Sequence, residues 1–371
     1  MLPCPYCEGT SIIKKGMRQK KREKVQLYYC KNCKKKFVYA VTKHNRYPLR
    51  VVLYALTLYN RLRSFAEVKK SVKERYGMGV DEQSIARWLG AYKEYLPFSR
   101  MREFAQKHYT AKNCLEESRM FHGQIYDFRY HRAKLDLVLE EEFRNYKFKQ
   151  LKEFLELAAV ECPHQVFRES RMRSSELKNV FNLDEVKIVS KTNAAVKMAN
   201  FVLQAVKNNK SRHEVLQEFM LVNDSVTVAT EVPVLLEPDD IRHFKHELNF
   251  IVPLETDHPI TGHIDFVQVR NGMIHILDYK PSAKKEKPID QLTLYALALS
   301  RLTGIRLFHF KCAWFDKENY FEFFPLHVVY KLKKGKKRAP KNQKNLFAPL
   351  DSKHLTGSMS SDDDLPVIQY T

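Results

Sequence analysis

The run HIDFVQVRNGMIHILDYKP, residues 263 to 281, constrains the fold more than any other part of the sequence. Asn271-Gly272 is a strong signal for a two-residue β-hairpin turn, and apolar residues flank it on both sides. Asp265 lies in the first predicted strand, and Asp278 ends the second. Adjacent strands can bring these two carboxylates to one site, so the sequence predicts a sheet with an acidic pair.

The end of this hairpin carries a carboxylate and an amine, Asp278 and Lys280. Side chains at i and i+2 of a strand point to the same face. One interpretation is a surface ion pair with an unrelated Asp265. The other is a metal-dependent hydrolytic site, because Mg²⁺ prefers oxygen ligands and a lysine can stabilise charge developing on phosphorus. All three groups lie on segments that would pair in one sheet, which favours the second interpretation.

The surrounding elements predict an α/β domain over residues 191–330 with a mixed central sheet. SVTVATEVPVLLE is a predicted strand that contains Glu231, and IRLFHFKCAWF and YFEFFPL are further predicted strands. NAAVKMANFVLQAV and DQLTLYALALSRLTG have the apolar spacing of helices.

This order of motifs resembles the PD-(D/E)XK nuclease superfamily, in particular its RecB-type branch and CRISPR-adaptation relatives, over about residues 191 to 326. GHIDFV is similar to the G-x-x-D strand, ILDYK to the D/E-x-K strand, QLTLY to the Q-x-x-x-Y motif and TEVPV to an upstream acidic motif. The resemblance implies a restriction-endonuclease-like fold, an Mg²⁺ or Mn²⁺ cofactor and catalytic roles for Glu231, Asp265, Asp278, Lys280, Gln291 and Tyr295. Asp265 and Asp278 would be the metal ligands.

The chain departs from the family pattern in two places. Ile264 stands where the name-giving proline precedes the first acid, a change that the RecB-type branch tolerates. Relatives with an iron-sulfur cluster carry three cysteines after the nuclease core, whereas only Cys312 follows the motifs here. No iron-sulfur cluster is therefore expected. The relatives also carry an upstream histidine, for which His213 is a candidate.

Four cysteines near the N-terminus have the spacing of a zinc site. They form C-x-x-C…C-x-x-C with 22 residues between the pairs, and they are Cys4, Cys7, Cys30 and Cys33. Two thiolates on each tight turn can converge on one tetrahedral ion, which predicts a structural Zn²⁺ in a ribbon over residues 1–42. The alternative, two disulfides, needs a secreted context. The remaining cysteines, Cys114, Cys162 and Cys312, are predicted core residues.

Basic residues are concentrated in this ribbon. The whole chain has a formal net charge of +21, and its first fifty residues hold 14 Lys or Arg against only Glu8 and Glu23. Such an excess favours a polyanionic partner, and aromatic residues between the basic ones favour nucleic acid. Predicted DNA-binding residues in the ribbon are Lys20, Lys21, Arg22, Lys34 and Lys35. The alternative is a solvated ribbon whose aromatic residues form its small core.

Residues 43–98 predict a helix-turn-helix domain. Ser64 and Glu67 form a capping box, Asp81 is an N-cap, and GMGV separates two short helices. The second helix would read DNA through an exposed face of Gln83, Ser84 and Arg87, while Ile85, Trp88 and Leu89 pack inward. A small helical bundle without DNA contact is the alternative. The ribbon and these helices together resemble the DNA-end-binding regions of insertion-sequence transposases over residues 1 to 98.

The segments on either side of the nuclease-like region carry less information. Residues 99–190 are predicted to be a helical connector, because SRMFHGQIYDFRYHRAKLDLVL and FKQLKEFLELAAVECP both look helical. His122 and His131 are nine residues apart and do not share a helix face well, which disfavours a metal role. Residues 331–371 form a basic and then acidic segment, predicted to be disordered.

The predicted protein is therefore a multidomain metal-dependent deoxyribonuclease that a zinc ribbon and a helix-turn-helix target to DNA. DNA repair, recombination or a mobile element would be its setting, with homo-oligomers or proteins of those systems as partners. The alternatives are a transcriptional regulator and a transposase-related protein with an inactive nuclease fold. No signal peptide and no long apolar span appears, so a cytoplasmic, nucleoid-associated protein is expected without a membrane partner.

Overall fold

A computed structural model describes residues 4–19, 24–38, 47–141, 147–184, 186–206 and 211–330. None of the helices in these ranges is both long and apolar enough to cross a membrane. The predicted tail at 331–371 lies outside the described residues.

The N-terminal part is a small antiparallel sheet in the order β1-β2-β3, with strands Ile12–Gln19, Lys24–Cys30 and Lys36–Phe37. Its core is minimal, because it contains little more than Ile12, Phe37 and two of the cysteines. Glu8 and Lys34 each have a positive φ one residue after a C-x-x-C pair, which closes the tight turn that directs two sulfurs the same way. A core of this size needs a further constraint to hold its fold.

Three helices follow: α1 (Leu49–Asn60), α2 (Phe65–Tyr76) and α3 (Glu82–Ala91). The predicted capping box at Ser64 and Glu67 is present, and Gly77 ends α2 with a φ of 63°. Asp81 caps α3 as predicted. The start and end of α2 and the start of α3 therefore lie where the sequence signals place them.

One residue of the predicted DNA-reading face points elsewhere. Ser84 is buried, its backbone N–H and hydroxyl donate to the Asp81 carboxylate, and it accepts a hydrogen bond from Arg87. Ser84 lies at the third position of the helix, where an N-cap carboxylate captures the backbone N–H and draws the side chain inward. The prediction that Ser84 is exposed was therefore wrong, while Gln83 and Arg87 are exposed.

The helical prediction for residues 118 to 139 was also wrong over residues 118 to 130. After α4 (Arg102–His108), the chain forms an antiparallel hairpin of β4 (Glu116–Phe121) and β5 (Ile125–Tyr130). Gly123, with a φ of 77°, occupies the turn. β5 pairs with a strand near residue 230 and so joins the main sheet. The predicted helix at FKQLKEFLELAAVECP is correct, as α6 (Lys149–Glu161).

The remaining elements build the main sheet and its covering helices. In chain order they are α5 (Arg132–Leu135), α7 (His164–Glu169), β6 (Met172–Arg173), β7 (Val189–Ser190), α8 (Ala194–Leu203), α9 (Arg212–Asn223), β8 (Thr227–Leu236), α10 (Pro238–His246), β9 (Ile260–Arg270), β10 (Met273–Tyr279), α11 (Ile289–Thr303), β11 (Phe310–Phe315), β12 (Tyr320–Phe323) and α12 (Leu326–Val329).

The main sheet is mixed, as predicted. Its order is β4-β5-β8-β9-β10-β11-β12-β7, and β6 pairs with β9. The β9–β10 pair is the predicted hairpin, with Met273 opposite Arg270 across the Asn271-Gly272 turn. β10 and β11 are parallel, because α11 carries the chain back across the sheet between them.

Helices cover both faces of this sheet. Val267 and Ile276 point to the face that packs against α6 and α11, whereas Phe266 and Leu277 point to the face that packs against α1, α3, α8 and α9. α1–α3 thus share a core with the sheet. The domain boundaries predicted at 98 and 190 stay predictions.

Candidate active site

All six residues predicted to be catalytic line one cavity of about 240 Å³. They come from three neighbouring strands and the helix above them: Glu231, Asp265, Asp278, Lys280, Gln291 and Tyr295. Asp265 lies two residues before Val267, and Asp278 lies two residues after Ile276. The period of two therefore points both carboxylates toward α11.

The two aspartates meet where the end of β10 lies beside the middle of β9. Asp265 Oδ2 accepts a hydrogen bond of 3.0 Å from the backbone N–H of Tyr279. The Asp278 side chain is only 4% exposed. Burial and the charge of Asp265 raise the pKa of Asp278 to about 7, although Lys280 opposes the shift. Two carboxylates held this close in a buried place favour either a proton or a cation between them.

Lys280 is the amine of this site. Its Nζ forms an ion pair with Asp278 Oδ2 at 2.9 Å. A carboxylate has about four lone-pair positions, so the Asp278 carboxylate can accept a further ligand beside the amine. Burial lowers the pKa of Lys280, but Asp278 and Asp265 raise it, and the net shift is upward. The amine is therefore cationic at neutral pH.

A hydrogen-bonded row connects Lys280 to α11. Lys280 Nζ lies 3.5 Å from Gln291 Oε1, and Gln291 Nε2 donates to the Tyr295 hydroxyl at 2.9 Å. Tyr295 packs so closely on β9 that a Cβ added at Gly262 would lie 2.3 Å from its ring. The glycine of the G-x-x-D pattern is thus required by the approach of Tyr295, and the row fixes the position of the lysine.

Glu231 enters the site through a local distortion of β8. Its φ is 50°, in the left-handed region that costs a non-glycine residue about 1–3 kcal/mol. Gln217 of α9 donates to Glu231 Oε1 at 2.7 Å. Burial and the charge of Asp265 raise the pKa of Glu231 to about 8. A strained, half-buried acid beside two others is typical of a functional position.

The cavity also contains residues that sequence reasoning assigned weakly or not at all. His213 of α9 places Nδ1 3.5 Å from Asp265 Oδ2, which supports its candidacy. The opposite wall carries Tyr126 stacked on His263, with ring centroids 3.5 Å apart, and His122 hydrogen-bonded to His263 at 2.8 Å. The sequence analysis missed this wall because it predicted part of the β4–β5 hairpin to be helical. Only His263, two positions before Asp265 on β9, indicates from the sequence that a histidine lies near the acids.

The donor set fits a hard divalent cation. Asp265 and Asp278 both line this cavity, and each offers carboxylate oxygens to it. Glu231 lies beside them. Oxygen ligands of this kind suit Mg²⁺ or Mn²⁺, which keep several waters of their own.

The four ribbon cysteines form a second candidate metal centre. Their sulfurs all lie within 4.8 Å of one another, and the Cys4–Cys33 and Cys7–Cys30 pairs are each 3.6 Å apart. A disulfide needs about 2.05 Å between sulfurs, so these cysteines are free. Four thiolates in this arrangement suit a closed structural Zn²⁺ site.

The predicted DNA-binding residues are only partly described. Lys20, Lys21 and Arg22 lie outside the described residues, whereas Lys34 and Lys35 are exposed on the ribbon. Lys35 also lies over the Tyr6 ring, with Nζ 4.9 Å from its centroid. The ribbon therefore presents cations and aromatic rings together.

The mixed central sheet and its covering helices are consistent with a restriction-endonuclease-like domain. A family model of the PD-(D/E)XK nuclease superfamily matches residues 189–320, the segment that runs from β7 into β12. The match supports that superfamily for this segment. No curated protein and no solved structure matches the chain.

Proposed function

We propose that the chain is a divalent-metal-dependent nuclease that hydrolyses phosphodiester bonds of DNA. The observation that carries this proposal is the buried Asp278 carboxylate, which faces both a second carboxylate, Asp265, and the Lys280 amine in one cavity. A structural ion pair needs one acid and one base, whereas two acids this close in a buried place favour a bound cation.

The residues divide the chemistry among them. Asp265 and Asp278 would hold Mg²⁺ or Mn²⁺, which when bound supplies a Lewis acid and lowers the pKa of an attached water. Lys280, cationic and fixed by Gln291, is placed to stabilise the negative charge that develops on the phosphate. Glu231, whose pKa is raised to about 8, can hold or release a proton at its carboxylate.

The N-terminal modules would bring the nuclease to DNA. The ribbon presents Lys34 and Lys35, and α3 presents Gln83 and Arg87 on its exposed face. Phosphate contacts of this kind supply affinity that depends on salt and little on sequence. A nuclease with such modules suits DNA repair, recombination or a mobile element, close to the nucleoid.

The test compares Asp278→Asn with Asp257→Asn, an exposed aspartate of the loop before β9, as a matched control. Purified proteins are incubated with linear and circular single- and double-stranded DNA, with and without Mg²⁺. We expect Mg²⁺-dependent cleavage by the wild type and the control, and none by Asp278→Asn, with DNA binding retained by all three.

Cleavage by Asp278→Asn at the wild-type rate would refute the site. Retained DNA binding without cleavage by any of the three proteins would instead identify a DNA-binding protein with an inactive nuclease fold.

A further inference from the structure

A second group of soft metal ligands lies behind the histidine wall of the cavity. It consists of His122 at the end of β4, Cys162 at the end of α6 and His164 at the start of α7. One ligating atom from each lies within 4.8 Å of the others. His122 is fully buried, whereas Cys162 and His164 are half-buried. The three residues come from two segments about forty positions apart, so the fold itself brings them together.

The hydrogen bonds around these rings leave two nitrogens facing each other. His164 Nε2 lies 3.2 Å from the carbonyl oxygen of Ala159, which can only accept, so this nitrogen carries the proton. His122 Nδ1 lies 2.8 Å from His263 Nε2 and can donate to it. With the His122 proton on Nδ1, His122 Nε2 and His164 Nδ1 face each other across 2.8 Å, each with a lone pair; with the proton on Nε2, His122 instead donates to His164 Nδ1.

This arrangement matches the way that proteins hold metal-binding histidines. A ligating histidine usually donates its other ring N–H to an acceptor, which fixes the tautomer and points the free nitrogen at the ion. Here His164 donates to a backbone carbonyl, and His122 has His263 as its acceptor. The Cys162 thiol completes a set of two nitrogens and one sulfur.

We propose that His122, Cys162 and His164 bind one Zn²⁺ ion, at a site distinct from the ribbon cysteines and from the catalytic carboxylates. Nitrogen and sulfur donors select Zn²⁺ over Mg²⁺. Two nitrogens at about 2.0–2.1 Å from one zinc are roughly 3.3 Å apart, so the rings need to separate by only about half an ångström. The fourth position is left to a water molecule.

The position of this ion assigns it a structural task at the active site. It would tie the β4–β5 hairpin to the junction of α6 and α7. His122, one of its ligands, also contacts His263, two residues before Asp265 on β9. The metal would thereby fix the wall of the cavity that faces the catalytic acids. His122 and His263 are positioning residues in this scheme.

The test uses the full-length protein with Cys4 and Cys30 both replaced by serine, which disables the ribbon site. After dialysis against a chelator at moderate concentration, zinc per chain is measured by elemental analysis. We expect about one zinc ion to remain, and we expect Cys162→Ala or His164→Ala in the same background to remove it. Cys114→Ala, a buried cysteine outside the group, should leave it in place.

A second readout identifies the ligands directly. Co²⁺ replacing zinc in the ribbon-disabled protein should give a thiolate-to-cobalt charge-transfer band that Cys162→Ala abolishes. Absence of the residual zinc would overturn the proposal, and so would a residual zinc that survives Cys162→Ala. His122 and His164 would then form a metal-free hydrogen-bonded pair. None of these readouts depends on nuclease activity, so the outcome is separate from the test of the proposed function.

Discussion

The ribbon cysteines and the candidate active-site cavity both bring metal-binding side chains together, but they need very different amounts of chain and hydrophobic core to do so. The ribbon takes four sulfurs from 30 residues of chain and closes around them with almost no hydrophobic core. The cavity takes three acids and a lysine from strands that need the whole sheet and two layers of helices to hold them.

The difference lies in what each site does to stability. A metal ion held by the four ribbon cysteines would replace a missing core, so its binding energy would be folding energy. The cavity instead holds two carboxyl groups with raised pKa values, Glu231 and Asp278, and the backbone of Glu231 is strained. Metal binding would therefore stabilise the ribbon, whereas the cavity residues destabilise the folded protein and depend on the packing of the rest of the domain.

The largest effect that would sharpen this comparison is the loss of the Lys280 amine. Lys280→Ala should lower the cleavage rate by about 10²–10³, because a preorganised charge acts on the transition state. Binding of Mn²⁺ and the zinc content should stay unchanged. Single-turnover rates measured beside Lys284→Ala, an exposed neighbour, check this. Equal rates for the two variants would remove Lys280 from the mechanism.

The next effect separates the two sites by the sign of their pH dependence. Asp278 and Glu231 have pKa values raised to about 7 and about 8, so between about pH 4 and pH 8 the folded protein binds more protons than the unfolded chain. Without divalent cations, the stability of the nuclease region should therefore fall by a few kcal/mol as pH rises through this window.

Thermal unfolding from pH 5 to pH 8 measures this slope, and Asp278→Asn combined with Glu231→Gln should flatten it. Mg²⁺ should restore more stability at pH 8 than at pH 5. The ribbon should show the opposite trend, because thiolates lose zinc as protons compete for them at low pH. A metal-free protein whose stability rises toward pH 8 would contradict the description of the cavity.

A smaller effect concerns the ribbon. Cys30→Ser should release its zinc and unfold residues 4–38, while α1 and the main sheet stay folded. DNA affinity should fall by roughly tenfold with a shallower salt dependence, because the ribbon cations no longer lie on one surface. Cleavage of saturating DNA should continue at the wild-type rate. Binding titrations at several salt concentrations would detect an unchanged slope, which would give the ribbon another partner.

The smallest effect tests the strain at Glu231. Glycine adopts a φ of 50° without penalty, so Glu231→Gly should raise the free energy of unfolding by about 1 kcal/mol while cleavage falls. Glu231→Gln keeps the strain and should not share the gain. Urea unfolding of the two variants distinguishes them, and a loss of stability in Glu231→Gly would show that the carboxylate contributes more than the backbone costs.

The sequence predicts the part of the cavity that a hairpin can specify. Asn271-Gly272 sets the register, and the register places Asp265 and Asp278 side by side. The spacing of Gln291 and Tyr295 then indicates the helix above them. The ribbon is predictable for a related reason, since its four ligands come from one short stretch.

The histidine wall is not predictable in this way, because its strands are recognisable only through a distant partner. Residues 126–130 alternate aromatic and charged side chains, but residues 116–122 do not, and the burial of β5 depends on β8, about a hundred residues later. His122 then looks isolated, and Cys162 looks like a core residue although it is half-buried. The prediction that Ser84 is exposed was wrong for a local reason, because the Asp81 cap, and not the face of the helix, decides where the Ser84 side chain points.

β5 and its partner strand β8 are about a hundred residues apart in the sequence, and this separation matters during synthesis on the ribosome. At about 5–20 residues per second, the β4–β5 hairpin emerges roughly 5–20 s before Thr230 and Ala229 can pair with Arg129 and Tyr130. During that time its unpaired edge is open to other nascent chains. The charged pairs along the hairpin, such as Arg119 with Asp127 and Arg132 with Glu116, discourage such pairing. The charges on this hairpin thus oppose aggregation of the nascent chain before β8 is synthesised and the cavity can form.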